Sequence, residues 1–188
     1  MKKIAVFGSG SGSNAENLCN YFAKSNLIKV VFICTNNKKA FIVKRAKKLH
    51  IPLFYITKSE LSSFSALHKN LQNYSVDYIV LAGFLLKLPV KMVDSYPKKI
   101  INIHPSLLPK YGGKGMYGML VHESVVKNKE SETGITIHYV NENYDEGTII
   151  FQKSFQLSEN DTSESVANKI HELEYEFFPK VIEEILDK

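Results

Sequence analysis

"KKIAVFGSGSGSNAENLCNYFAKS", from Lys2 to Ser25, changes its rhythm halfway along. KKIAVFG is a short apolar run of the kind that forms a buried strand. In NAENLCNYFAKS the residues Ala15, Leu18, Cys19 and Phe22 recur at helical spacing and make one apolar face. A glycine-rich turn, GSGSGSN (Gly8–Asn14), joins the two. Strand, tight turn and helix form the repeating unit of a parallel sheet, and the alternation continues outward from this first unit. IKVVFICT reads as a strand, AFIVKRAKKLH as a helix, PLFYIT as a strand, and SELSSFSALHKNLQNY as a helix opened by a Ser59 cap. VDYIVLAGF and KIINIH follow as strands, with a short helix near PVKMVDSY between them. Near-continuous apolar strands separated by amphipathic helices predict an α/β protein: a mostly parallel twisted sheet with helices on both faces. The remainder is different in kind. It holds a glycine-rich loop, a helix YGMLVHESVVKN, two strands TGITIHYV and GTIIFQKSFQL joined by NENYDEG, and a long helix from about Thr162.

No repeat or low-complexity linker interrupts the 188 residues, and with 44% apolar residues they are expected to form one domain, 1–188. No stretch approaches the ~18 apolar residues of a membrane span, and the start MKKIAVFGSG lacks an apolar signal core, so a cytoplasmic protein is expected. Cys19 and Cys34 fall on apolar faces and read as small core residues. The net charge of +5 raises the question of nucleic acid. Arg45 is the only arginine, however, and VKRAKK fits the wet side of a helix whose dry side is Ile42, Val43, Ala46 and Leu49. Neither a nucleic-acid nor a membrane partner is expected.

The turn Gly8–Asn14 stands where glycines let a backbone approach a phosphate and a helix start offers free N–H groups. Gly10, Gly12 and Ala15 fit the dinucleotide pattern formally, but the acidic residue expected after the second strand is missing, since the chain there reads CTNNKK. A mononucleotide-like phosphate site and a plain tight turn remain as readings.

In KIINIHPSLLPKY a strand's period of two puts Asn102 and His104 on one face, opposite Ile101 and Ile103. Pro105 cannot donate to a ladder and pushes His104 to extended backbone, which ends the strand there. An amide and an imidazole are thus expected together at the sheet's carboxyl edge. HESVV (122–126) and HELEY (171–175) begin like zinc helices, but Val126 and Tyr175 stand where the second histidine belongs, so no metal site is expected. His50 and His68 read as surface or cap residues, and His122 and His138 as structural or catalytic. Asp145 in NENYDEG reads first as a turn residue. It gains a second reading because an imidazole at a sheet's edge becomes useful when a carboxylate raises its pKa and fixes its proton.

Taken in order, GSGSGSN, IVLAGF, NIHPSLLPKY and the YDEG turn resemble the folate-dependent formyltransferases, and among them the phosphoribosylglycinamide formyltransferases of purine synthesis. The likeness covers nearly the whole chain, and NIHPSLLP is a specific motif. It implies a Rossmann-like formyltransferase fold. It also implies transfer of a formyl group from 10-formyltetrahydrofolate, as cosubstrate, to the amine of phosphoribosylglycinamide, without ATP or metal, by a monomer or homodimer. By position it assigns Asn102, His104 and Asp145 as catalytic. The first two donate to the developing oxyanion, and Asp145 keeps His104 charged. It assigns Gly12, Ser13, Asn14 and Glu174 to the ribose phosphate substrate. The folate is assigned to Leu85, Leu86, Lys87 and Leu88, to Asn102, and to Asn141, Glu142, Asn143 and Tyr144. Leu120 stands where some members carry histidine, and Leu86 where arginine is frequent.

Other readings name different enzymes or none. A methionyl-tRNA formyltransferase would add a C-terminal tRNA-binding domain and an arginine–glycine pair where this chain reads LLPKYGG. A formyltetrahydrofolate hydrolase would add an N-terminal regulatory domain. A nucleotide-binding sensor would use GSGSGSN but leave Asn102 and His104 without purpose.

Overall fold

The computed structural model describes residues 1–187. Five strands run parallel: β1 (Lys2–Phe7), β2 (Ile28–Thr35), β3 (Leu53–Tyr55), β4 (Tyr78–Leu81) and β5 (Ile100–His104). Two more, β6 (Glu132–Tyr139) and β7 (Ile149–Gln156), extend the sheet antiparallel, giving the order β3-β2-β1-β4-β5-β6-β7. Alternation decides which core each strand serves. Ile4 and Val6 face a layer shared with α1 (Ser13–Phe22), α2 (Ile42–Lys48) and α7 (Ser163–Leu186). Ala5 and Phe7 face the other layer, with α3 (Lys58–Ser63), α4 (Ser65–Asn73) and α5 (Val90–Ser95). The expected α/β sheet with helices on both faces is therefore present. A last helix, α6 (Met119–Lys127), packs on α7. No helix among the described residues is long and apolar enough to cross a membrane.

The segment SELSSFSALHKNLQNY is two helices, not one. Phe64 adopts φ 60°, which closes α3 and opens α4, because its ring is buried in the second core while its backbone turns left-handed. The cap of α3 is Thr57 in place of Ser59: its hydroxyl accepts from Glu60 N while the Glu60 carboxylate accepts from Thr57 N. A threonine three residues before a glutamate completes a reciprocal cap that Ser59 cannot make.

α7 contains Pro179, which has no N–H to give to the carbonyl of Tyr175. Asn17 of α1 supplies the missing donor, its Nδ2 standing 3.0 Å from that oxygen. The reversal from parallel to antiparallel pairing lies between β5 and β6, where Asn102 is directly opposite His138 and His104 opposite Thr136. Side chains directly opposite share a face.

Candidate active site

In an open α/β sheet the cleft for ligands lies beyond the strands' carboxyl ends, where the order of winding reverses. Here the reversal is between β1 and β4. A cavity of about 550 Å³ opens there, walled by the loops after β1 and β4, the end of β5, the 113–118 loop, and α6 and α7.

The first wall is the glycine turn. Ser9 locks it to its neighbours: its N–H donates to the Gly83 carbonyl, and its hydroxyl bonds Asn36 and accepts from Leu85 N. Gly12 caps α1 with φ 74°, and a Cβ there would meet Ile42 Cγ1 at 2.5 Å, so the fold itself requires glycine at this position. The N-cap residue, Gly12, offers no side chain to cap α1, and Ser13 and Asn14 of its first turn line the cavity, the Ser13 N–H making only a long 3.5 Å bond to the Ser11 hydroxyl. Arg45 is not a free surface cation. Its Nε donates to the Ser11 carbonyl at 3.0 Å, its guanidinium pairs with Glu16, and it lies over the Phe41 ring.

Across from this turn, Glu174 of α7 is buried and accepts from Asn14 Nδ2 at 2.9 Å and from His171 Nδ1 at 3.1 Å. That carboxylate holds the His171 imidazole above its ordinary value, against the partial burial of the ring. Two buried polar atoms in this region have no partner: Asn14 Oδ1 and His122 Nδ1. Burial pushes the His122 imidazole down.

The second wall brings Asn102, His104 and Asp145 together. Asp145 reaches them because its backbone takes φ 55°, a left-handed turn position that aspartate tolerates. Its Oδ2 lies 3.6 Å from His104 Nδ1 and accepts from Gly113 N at 2.9 Å. Its Oδ1 lies 3.4 Å from Asn102 Nδ2, a long contact. Asn102 Nδ2 also stands 3.0 Å from His138 Nε2, and His138 Nδ1 stands 2.8 Å from the Tyr139 carbonyl. His138 Nδ1 thus faces a carbonyl that can only accept, while Nε2 faces both the Asn102 amide and, at 3.7 Å, Asp145 Oδ1. His104 Nε2 stands 2.7 Å from the Tyr111 carbonyl and donates to it, which leaves Nδ1 for Asp145 and a ligand.

By the family resemblance Asp145 would keep His104 charged. His104 does not rest charged, because burial pushes its imidazole below the ordinary value and outweighs the upward pull of Asp145 and the Tyr111 carbonyl. Burial alone would raise the Asp145 carboxyl. The neighbouring His138, His104 and the Gly113 N–H overcome it and hold that group below the usual carboxylate range. At neutral pH the pair is an ionised carboxylate beside a neutral imidazole.

Every residue assigned to catalysis or to the phosphate substrate lines the one cavity. Of those assigned to folate, Leu85, Tyr144 and Asn102 line it, whereas Leu86, Lys87, Leu88, Asn141, Glu142 and Asn143 lie outside its wall. Leu88 is buried in the second core, and Lys87 sits over the Tyr144 ring, tying the two segments together. His138 and His122, which the sequence leaves as either structural or catalytic, stand at the site, one on Asn102 and the other in the cavity wall. The β5–β6 register places the first, and the face that α6 turns to the cavity places the second. Cys19 and Cys34 are buried, with thiols pushed up to about 12 by burial, as core residues. No group of metal-ligating residues occurs among the described residues.

The sequence profile of the family described as formyl transferase matches residues 2–182. The chloroplastic phosphoribosylglycinamide formyltransferase of Arabidopsis thaliana is 36% identical over 193 residues, which cover 100% of this chain and 66% of that protein. The phosphoribosylglycinamide formyltransferase of Bacillus subtilis is 35% identical over 99% of this chain and 95% of its own length. The crystal structure of the enzyme of that name from Anaplasma phagocytophilum superposes with a TM-score of 0.90 at 33% identity, covering 100% of this chain and 87% of that one. A match over nearly the whole chain, joined to the same fold, decides kinship: this protein belongs to the formyl transferase family.

Proposed function

We propose that the protein transfers the formyl group of 10-formyltetrahydrofolate to the amine of phosphoribosylglycinamide in purine synthesis, with neither metal nor ATP. The observation that carries this reading is one cavity with two unlike ends. At one end an uncapped helix start with Ser13 and Asn14 suits a phosphate, and at the other His104, Asp145 and Asn102 suit acyl transfer. Glu174 lies between the phosphate turn and α6 and holds the substrate. The pterin lies against the Leu85–Leu88 strip and the Asn141–Tyr144 turn, where Leu85 and Tyr144 form the exposed wall.

The reaction makes one C–N bond, breaks another and moves one proton from the attacking amine to the departing folate nitrogen. A neutral His104 suits that transfer. Its free Nδ1 takes the proton as the amine attacks, and the resulting imidazolium is stabilised by Asp145 at 3.6 Å and can donate to the formyl oxygen. Asn102 supports the same oxygen with the N–H that is only loosely held, at 3.4 Å from Asp145. His104 then returns the proton to the leaving nitrogen. The same reading takes residues 1–188 as one unit acting on small molecules in the cytoplasm, as a monomer or homodimer, without nucleic acid or membrane.

The test is absorbance of the deformylated folate product when the purified protein meets phosphoribosylglycinamide and a 10-formyl folate analogue. Turnover dependent on both is expected. Turnover on charged initiator tRNA alone, or release of formate with no acceptor, overturns the assignment.

A further inference from the structure

Tyr111 is the residue whose carbonyl accepts from His104, and its own backbone is in the left-handed region at φ 57°. A tyrosine held there costs about 1–2 kcal/mol relative to ordinary backbone, so something must hold it. Its hydroxyl donates to Glu130 Oε1 at 2.8 Å, and Glu130, between α6 and β6, also accepts from Lys110 Nζ at 2.9 Å. Lys110 is largely exposed, so its ion pair contributes little and the Tyr111 bond is the effective anchor. Two residues on, Gly113 N donates to Asp145 at 2.9 Å. The segment 111–113 therefore touches both members of the His104–Asp145 pair, accepting from one and donating to the other.

We propose that Glu130 and Tyr111 are positioning residues for formyl transfer: Glu130 pins the Tyr111 ring, the pinned residue presents its carbonyl to His104 Nε2, and this fixes Nδ1 as the nitrogen that works on the substrate. The proposal rests on the function argued above. Without the anchor, Tyr111 relaxes toward negative φ and its carbonyl swings off. The buried imidazole is then free to carry its proton on Nδ1 against Asp145, and the nitrogen facing the substrate no longer has a lone pair. The other titratable groups that face His104 come from separate elements: Asp145 from the β6–β7 turn, His138 from β6, Glu174 from α7 and His122 from α6.

The test compares Tyr111→Phe, Glu130→Ala and Glu130→Gln. Tyr111→Phe keeps the ring and loses only the hydroxyl, while Glu130→Gln keeps an oxygen that accepts from Tyr111. Tyr111→Phe and Glu130→Ala are expected to lower kcat roughly ten-fold while both KM values stay within about two-fold, and Glu130→Gln to restore most of the rate. Nitrogen-15 NMR of His104 without substrates should show the Nε2–H tautomer losing population in the first two variants, with titration moved to lower pH. An unmoved His104 spectrum with wild-type kcat in Tyr111→Phe, or a Glu130→Gln variant as impaired as Glu130→Ala, overturns the proposal. Because the NMR measurement needs no turnover, a protein inactive on phosphoribosylglycinamide would refute the assigned reaction and still leave the strap under test.

Discussion

Asn102 spends its two N–H groups unequally, one firmly on His138 at 3.0 Å and one loosely toward Asp145 at 3.4 Å. Asn102→Ala is therefore expected to lower turnover roughly 10²–10³-fold by losing an oxyanion donor. It should also cost about 1–2 kcal/mol in denaturant unfolding, because buried His138 Nε2 loses its 3.0 Å partner and keeps only the 3.7 Å contact with Asp145. Wild-type kcat in the folded variant would remove Asn102 from the mechanism. Asp145→Asn keeps a residue that tolerates φ 55° but takes away an upward pull on His104. His104 should titrate at still lower pH by NMR, and kcat should fall about 10²-fold without recovery in mild acid, since the working form is neutral. A His104 titration unmoved in the variant would mean the two side chains are not coupled. At this scale the strand period reveals that Asn102 and His104 share a face. It reveals neither His138, which depends on the β5–β6 register, nor the resting charge of His104, which depends on how deeply the chain buries it.

Elements were legible where apolar periodicity is strong, as in β1, β2, β5 and α7. They are not legible where one residue overrides its neighbours. Phe64 breaks a helical pattern because its ring is worth more in the core than its backbone loses in the turn. Arg45 left the wet face assigned to VKRAKK because the turn carbonyl of Ser11 needed a donor. The contact between Asn17 and the Tyr175 carbonyl, freed by Pro179, makes an element-scale test. Asn17→Ala should cost about 1 kcal/mol in the native background and clearly less when combined with Pro179→Ala, where the helix bonds its own carbonyl. Additive losses in thermal unfolding would show that the proline and the asparagine are not linked.

Over the whole molecule, burial sets the response to acid. His104 and His122 both have folded values below their unfolded ones, so their stability contribution is present above about pH 6.5 and is lost as pH falls through the folded values. His171 acts oppositely: Glu174 raises it, and its contribution is present in acid and lost as pH rises through its folded value. The unfolding free energy should therefore decline from pH 7 toward pH 5. Replacing His122 with Gln should reduce that slope by up to about 1.4 kcal/mol per pH unit, one proton's worth. An unchanged slope would mean that His122 titrates as it does in the unfolded chain. The layered architecture followed directly from alternating strands and helices. The antiparallel pair β6 and β7 joins it by pairing with β5 and by packing on α7, and the pairing with β5 delivers His138 and Asp145 to the parallel half.

The proline in α7 also acts as a vernier. A long amphipathic helix can slide along its neighbour by a turn, about 5.4 Å, and still bury an apolar face. Inside α7, ahead of its last turn, the carbonyl of Tyr175 loses its usual donor to Pro179, and it accepts from Asn17 instead. With that contact made, the preceding residue on α7, Glu174, falls beside Asn14, one turn earlier on α1. A flaw in the bonding of one helix thus acts as a ruler mark, setting where along α1 the cavity's buried carboxylate stands.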